Sequence, residues 1–468
     1  MPEELTTKSA TELAALIRAR AVSPVEVVAA HLSRIETINP QLNAIVTLAP
    51  DALDRARAAE SALTAGDEIG PLHGVPLTVK DTIETQGVRT TSGSRLLANN
   101  IPDRDATAVA RLLAAGAIIL GKTNTPEMAA YYETDNPVFG HANNPHNPLM
   151  TPGGSSGGEA AAIAACLSPA GIGSDLAGSI RLPAHFCGIA GLKPTMGRVS
   201  MDGHIPAATG PLSLGAGIGP MARSVADLTL LFSVIADAAP SEFDRVQATE
   251  LNCLRVAWYT DDGVSPVTRE TRDAVAAAAK ALSENGLEVD EAKPPGVADG
   301  FRLWIELFSR AVTEQLHEFY RGREDQAGPQ VAAMLGKFNE RTGLNGRVSE
   351  AEKLAAALVE RERLREDLLR WMKTTPILLA PVGSMPAYEH GARRVEVEGE
   401  SISVWRAFSY SQTYNVFGLP SVVVPAGRSA EGLPIGVQIV GRPFAERNVL
   451  AVAALLETML GGWIRPKF

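Results

Sequence analysis

Cysteine is scarce in this chain. Three of its 468 residues are cysteines (Cys166, Cys187 and Cys253). They cannot all pair and show no C-x-x-C spacing, which argues against a disulfide framework or a thiolate zinc site and fits a reducing compartment. An excess of basic residues is also missing. The formal net charge is −10, so there is no general attraction to nucleic acid or an anionic membrane surface. Long apolar runs are absent, and stretches such as Ala160 to Leu167 are too short and too alanine-rich to span a bilayer. Met1 to Thr7 is acidic and polar, unlike the basic-then-apolar start of a secretory leader. The expectation is a soluble, cytoplasmic protein with neither nucleic acid nor membrane as partner, a monomer or homodimer. No internal repeat or low-complexity segment is visible, and 45% hydrophobic with 21% charged residues is ordinary for a globular chain.

The chain opens with helices, over about residues 1–70. Ser9-Ala10-Thr11-Glu12 and Ser23-Pro24-Val25-Glu26 match the capping box, with Pro24 at the favoured first helical position. Val25, Val28, Ala29 and Leu32 then line one face. From about residue 71 short apolar strands alternate with helices. Val75 to Lys80 reads as a strand, Thr107 to Ala115 as a helix ended by Gly116, Ala117 to Gly121 as a strand and Gly158 to Leu167 as a helix. This alternation predicts an α/β sheet covered by helices. Residues 124–154 form a long loop rich in Asn and Pro, which in a compact protein is usually functional. Residues 300–373 read as a charged helical excursion, broken at Gly322, Gly328-Pro329 and Gly343 to Gly346. Within it Arg361, Arg363 and Arg365 alternate with glutamates as a solvated face. Strands return at Ile377 to Ala380, Ser421 to Pro425 and Ile435 to Val440. Residues 374–468 therefore rejoin the sheet of the 71–230 core and do not form a separate domain, which leaves one domain over 1–468.

Two serines, Ser155 and Ser179, stand 24 positions apart in small-residue loops, and Lys80 closes an apolar strand ahead of both. A serine hydroxyl is a poor nucleophile until a base takes its proton. No histidine lies where a Ser–His triad would want one, which leaves lysine as the candidate base. An ammonium held in a low-dielectric site loses affinity for its proton, and a neutral lysine is a competent base. In Gly153-Gly154-Ser155-Ser156-Gly157-Gly158 the last two glycines fall at a helix start, where backbone N–H groups favour negative charge. In Asp175-Leu176-Ala177-Gly178-Ser179-Ile180-Arg181 the N–H groups of Leu176, Ala177, Gly178 and Ser179 are four successive donors in a small-residue turn, which can form an oxyanion hole beside its own serine. Gly153 to Gly157 also matches G-x-S-x-G, but that elbow needs a strand before it. Asn143 to Pro152 is too proline-rich to be one.

These residues resemble the amidase signature hydrolases. The likeness runs from Gly74-Val75-Pro76-Leu77-Thr78-Val79-Lys80-Asp81 through Gly121-Lys122-Thr123-Asn124, the Gly153 to Glu159 loop and Ser174 to Thr195. It continues at Gly219 to Ser224 and Gly418-Leu419-Pro420, covering nearly the whole chain. It implies one large α/β/α domain with a mixed twisted sheet. It also implies Ser179 as acylated nucleophile, with Ser155 bridging it to Lys80 after a cis peptide at Gly154. Ser156, Asp175 and Arg181 would support the site, and no metal or cofactor is needed. Ala177 stands where the family usually has glycine. A substrate pocket is expected from Met128, Ala129, Tyr132, Gly153, Gly154, Trp304, Phe308, Met334, Phe408 and the segment Tyr410 to Phe417, including Tyr414. The glutamine-hydrolysing subunit of tRNA-dependent amidotransferases carries an acidic residue twelve positions before Pro420, where this chain has Phe408. The resemblance therefore implies a stand-alone hydrolase of apolar or aryl amides, anilides and carbamates with esterase side activity. The alternative is the glutamine-hydrolysing component of an amidotransferase.

Overall fold

Apolar runs bounded by glycine and proline become the strands of one mixed sheet. The computed structural model describes residues 2–237, 251, 253–342 and 350–467. Its strands are β1 (Ile45–Leu48), β2 (Pro76–Lys80), β3 (Ile118–Thr123), β4 (Ala170–Asp175), β5 (Ala190–Lys193), β6 (Gly217–Ala222), β7 (Arg255–Trp258), β8 (Glu288–Glu291), β9 (Ile377–Pro381), β10 (Arg394–Val397), β11 (Glu400–Ser403), β12 (Ser421–Arg428) and β13 (Pro434–Gly441). Eleven of them pair in the order β1-β3-β2-β4-β6-β5-β12-β13-β9-β7-β8. β3, β2 and β4 run parallel, β4 through β9 pair antiparallel, and β9, β7 and β8 are parallel again. The late strands β9, β12 and β13 thus extend the sheet begun by β2 to β6, as the sequence predicts.

Helices cover both faces, so the central strands are buried throughout and read as nearly continuous apolar runs. Side chains still alternate: Ile119 enters one apolar cluster, while Ile118 and Leu120 enter the opposite one. Both capping boxes form, at Ser9 with Glu12 and Ser23 with Glu26. The buried stripe of Pro24–Leu42 is rotated from the expected one. Val27, Val28, His31 and Ile35 face inward while Ala29 is exposed, and the buried imidazole satisfies its Nδ1 within its own helix, at 2.9 Å from the Val27 carbonyl.

The excursion begins with Gly300–Trp304, passes through a π-helical turn at Ile305–Ser309 into Arg310–Tyr320, and continues as Pro329–Thr342 and Glu350–Trp371. The expected break at Gly343 to Gly346 lies outside the described residues. Arg361 corrects the solvated-face reading. It is 1% exposed and donates through Nε to the Val416 carbonyl at 2.6 Å, pinning the long helix to the segment Ser409–Val416. The small hairpin β10–β11 stands outside the main sheet and leads into Trp405. Among the described residues no helix is long and apolar enough to cross a membrane.

Candidate active site

Lys80 is the last residue of β2 and is fully buried. Its Nζ lies 2.5 Å from Ser155 Oγ and 3.0 Å from Ser174 Oγ. Burial brings its proton affinity down from the ordinary 10.5 to about 7, with Asp175 and Glu159 pulling the other way. Glu159 is itself buried, bonded by Thr78 at 2.5 Å and Thr123 at 2.7 Å, and burial raises it to about 7.

Ser155 precedes the fully buried helix Gly157–Ala164, and the Gly154–Ser155 peptide is cis. Ser156 stitches this loop to the sheet. Its hydroxyl donates to the Ser174 carbonyl and accepts from the Ser174 N–H, each at 3.3 Å, while its own N–H donates to the Ser179 carbonyl at 3.1 Å. Ser155 and Ser179 line the same cavity. No hydrogen bond joins their two hydroxyls.

The turn after β4 is wound around the Asp175 carboxylate. It accepts from Gly178 N–H at 2.8 Å, Ile180 N–H at 3.0 Å and Asn415 Nδ2 at 2.9 Å. Arg181 grips it with Nε at 3.1 Å and Nη2 at 3.0 Å, both side chains being fully sealed from solvent. Burial alone would raise this carboxyl, but the Arg181 charge and hydrogen bonds, with Lys193 and Asn415, hold it well below the usual carboxylate range. One expected oxyanion donor is thereby lost: the Gly178 N–H is committed to Asp175. The N–H groups of Leu176, Ala177 and Ser179 have no partner among the described residues and remain available. Two distant side chains fix the same turn by its carbonyls. Trp304 Nε1 donates to Leu176 O at 3.1 Å, and Tyr132 OH donates to Ala177 O at 2.9 Å.

The cavity above Ser179 is walled by Met128, Ala129, Tyr131, Tyr132, Trp304 and Met334, all from segments expected to line it, together with Met201, Pro206, Val312 and Trp405. Trp304 and Trp405 stack at 5.5 Å. Phe308, Phe408, Tyr414, Gly153 and Gly154 are not on the wall. Phe408 packs behind Tyr132 at 4.8 Å, and Tyr414 is held in the interior by its hydroxyl contact to Tyr259 at 2.7 Å. Phe308 is fully buried in the core against Gly215, Gly153 lies against Pro183 and Phe186, and Gly154 lies against the backbone of Tyr131 to Glu133. An apolar residue in sequence does not reveal whether it forms the wall or backs it. Trp405 was missed because its signal is the hairpin before it, whose short polar strands resemble loop.

Sequence reasoning also missed His204. It lines the cavity, and its Nε2 lies 2.9 Å from Ser174 Oγ, so histidine does enter the lysine's surroundings, one residue removed. Among the described residues no group of His, Cys, Asp and Glu is arranged to hold a metal ion.

The Amidase family model matches residues 26–450. The A subunit of the glutamyl-tRNA(Gln) amidotransferase of Roseiflexus sp. (strain RS-1) is 36% identical over 483 aligned positions, covering 96% of this chain and 95% of that protein. A solved amidase structure superposes with a TM-score of 0.86 at 29% identity, covering 97% of this chain and 100% of that one. A bacterial aryl acylamidase of the amidase signature family superposes with a TM-score of 0.84 at 26% identity, covering 97% and 96%.

Proposed function

We propose that this chain, which belongs to the amidase signature family, hydrolyses amides through an acyl-enzyme on Ser179. The observation that carries this reading is the contact of 2.5 Å between Ser155 and a buried lysine whose proton affinity has fallen to about 7. Neutral Lys80 takes the Ser155 proton while Ser155 takes that of Ser179, whose oxygen bonds to the substrate carbonyl carbon. The carbonyl oxygen becomes an oxyanion facing the free N–H groups of Leu176, Ala177 and Ser179. The proton held on Lys80 returns through Ser155 to the substrate nitrogen, the C–N bond breaks and the amine departs. Water then adds to the acyl-enzyme by the same relay and releases the acid, restoring Ser179.

The cavity favours an apolar or aryl amide, anilide or carbamate, with esters as easier substrates of the same chemistry. Among the described residues that line it, Asp175 is the one carrying a formal charge, and Arg181 already satisfies it. A zwitterion such as glutamine finds no free charge there, and burying an unpaired charge is costly.

A second reading, the glutamine-hydrolysing component of an amidotransferase, is favoured by sequence comparison. The relative 36% identical over 96% of this chain bears that enzyme's name, and further relatives at 35% bear it too, so similarity supports this reading better than the first. Phe408 argues against it less than its sequence position implies, because it lies off the cavity wall, packed behind Tyr132. A panel of para-nitroanilide, fatty amide, aryl carbamate and glutamine, assayed beside Ser179→Ala, separates the two. Anilide or carbamate turnover that vanishes in the variant supports the first, and ammonia release from glutamine alone supports the second.

A further inference from the structure

One group beside Lys80 has no part in the relay described above. His204 is carried on the loop between β5 and β6, and its backbone is fastened to the segment directly after Lys80. Ile205 N–H donates to Thr82 O at 2.7 Å, Glu84 N–H donates to Gly203 O at 2.8 Å, and His204 forms an isolated bridge with Ile83. The ring is thus held by the same turn that ends β2.

Its protonation follows from its two neighbours. Nδ1 lies 2.7 Å from the carbonyl oxygen of Pro206, which can only accept, so Nδ1 carries the hydrogen. In the neutral ring Nε2 is then bare and accepts from the Ser174 hydroxyl at 2.9 Å. With its one hydrogen spent on His204, Ser174 meets Lys80 only as an acceptor, across 3.0 Å. A neutral amine has two hydrogens and one lone pair. If Ser174 takes a hydrogen, the lone pair is left for Ser155. If Ser174 were free to turn, its hydroxyl would donate to that lone pair and compete with Ser155 for it.

Resting on the reading of Lys80 as general base, we infer that His204 is a positioning residue: by fixing the direction of the Ser174 hydroxyl it keeps the lone pair of Lys80 aimed at Ser155. The groups that face Lys80 are Asp175, Glu159 and His204. Removing the imidazole leaves both carboxylates in place. It also weakens Ser174 as an acceptor, since a hydroxyl that donates is polarised to accept more strongly. A Ser174 hydroxyl that donates to the lone pair and accepts less strongly favours the neutral amine over the ammonium, against the unchanged pull of the two carboxylates.

The experiment compares His204→Leu, His204→Gln and the double variant Ser174→Ala/His204→Leu on a small ester and an anilide, across pH. His204→Leu is expected to lower kcat about tenfold or more with little change in KM, while the acid limb of kcat/KM moves to lower pH. His204→Gln, which keeps an acceptor near the position of Nε2, is expected to retain most of kcat. The double variant is expected to outperform His204→Leu, because the competing hydroxyl is gone. A His204→Leu enzyme with native kcat and an unmoved acid limb would overturn the inference. So would a double variant no better than His204→Leu with the limb in its native place, the pattern of a merely structural role. Should His204→Leu fail to fold, His204→Asn, whose amide stops short of Ser174, replaces it with the same expectations. Full activity in Lys80→Ala would instead overturn the reading of the site on which this rests.

Discussion

Lys80 is under two opposed influences, and their balance sets the chemistry. Burial penalises the ammonium, Asp175 and Glu159 favour it, and the outcome near 7 leaves a substantial neutral fraction at neutral pH, where an exposed lysine would have almost none. If the neutral amine is the active form, as proposed, kcat/KM should climb as pH rises through about 7 and level above it. An acid limb in the ordinary carboxylate range would instead point to a carboxylate as the base. On the proposed mechanism the same lysine returns its proton to the leaving nitrogen, which an amine requires and an alkoxide or phenoxide needs far less. Lys80→Ala is therefore expected to lose amide turnover by a larger factor than ester turnover, read as the ratio of the two kcat/KM values on paired substrates. Equal losses would remove its role as acid. At this scale the sequence was informative where residue type is tied to a local pattern: Lys80 at the end of an apolar strand, Ser155 and Ser179 in small-residue turns. It was silent on His204, whose link to Lys80 runs through Ser174 and a loop more than a hundred residues away.

Elements hold these side chains by close approach, and glycine is what permits it. A Cβ on Gly158 would collide with the Asn124 amide nitrogen and lie 2.5 Å from its carbonyl oxygen, so the helix Gly157–Ala164 rests directly against the turn after β3. Gly158→Ala should push that helix outward, costing about 1–3 kcal/mol as overpacking does and lowering kcat by shifting Ser155. Gly336 lies in the helix Pro329–Thr342, with nothing within 4 Å of where an alanine methyl would sit. There alanine should stabilise by about 0.5–1 kcal/mol, the helix-propensity difference alone. Urea midpoints of the two variants should move in opposite directions, and a shared direction would mean the packing around Gly158 is looser than its contacts imply. Elements were readable from sequence where burial on both faces made strands mostly apolar, as in β2, β3, β9 and β13. They were not readable where the partner decides. Arg361 reads as surface by composition yet is buried, because the carbonyls of Val416 and Leu214 offer it acceptors.

The whole molecule closes one cavity from far-separated stretches of a single chain. Met128 to Tyr132 come from the long loop, Trp304 and Val312 from the excursion, and Trp405 from the segment after the hairpin. They meet because β9, β12 and β13 join the sheet of β2 to β6. That return was legible as a change of texture along the sequence. The strand order was not, since pairing of β5 with β12 across more than two hundred residues leaves no local mark. The described wall, the Lys80–Ser155 contact and the free donors of the 176–179 turn are all supplied by this chain. If the site is complete in that sense, the chain expressed alone should turn over an anilide or aryl carbamate without a partner protein. Its activity per molecule should also hold constant on dilution, whether it is a monomer or a tight homodimer. Activity that appears only when the other components of an amidotransferase are added, and then on glutamine, would mean that the cavity acquires its charge recognition from outside. That outcome would bring the molecule's function into line with its amidotransferase relatives and away from its own apolar wall.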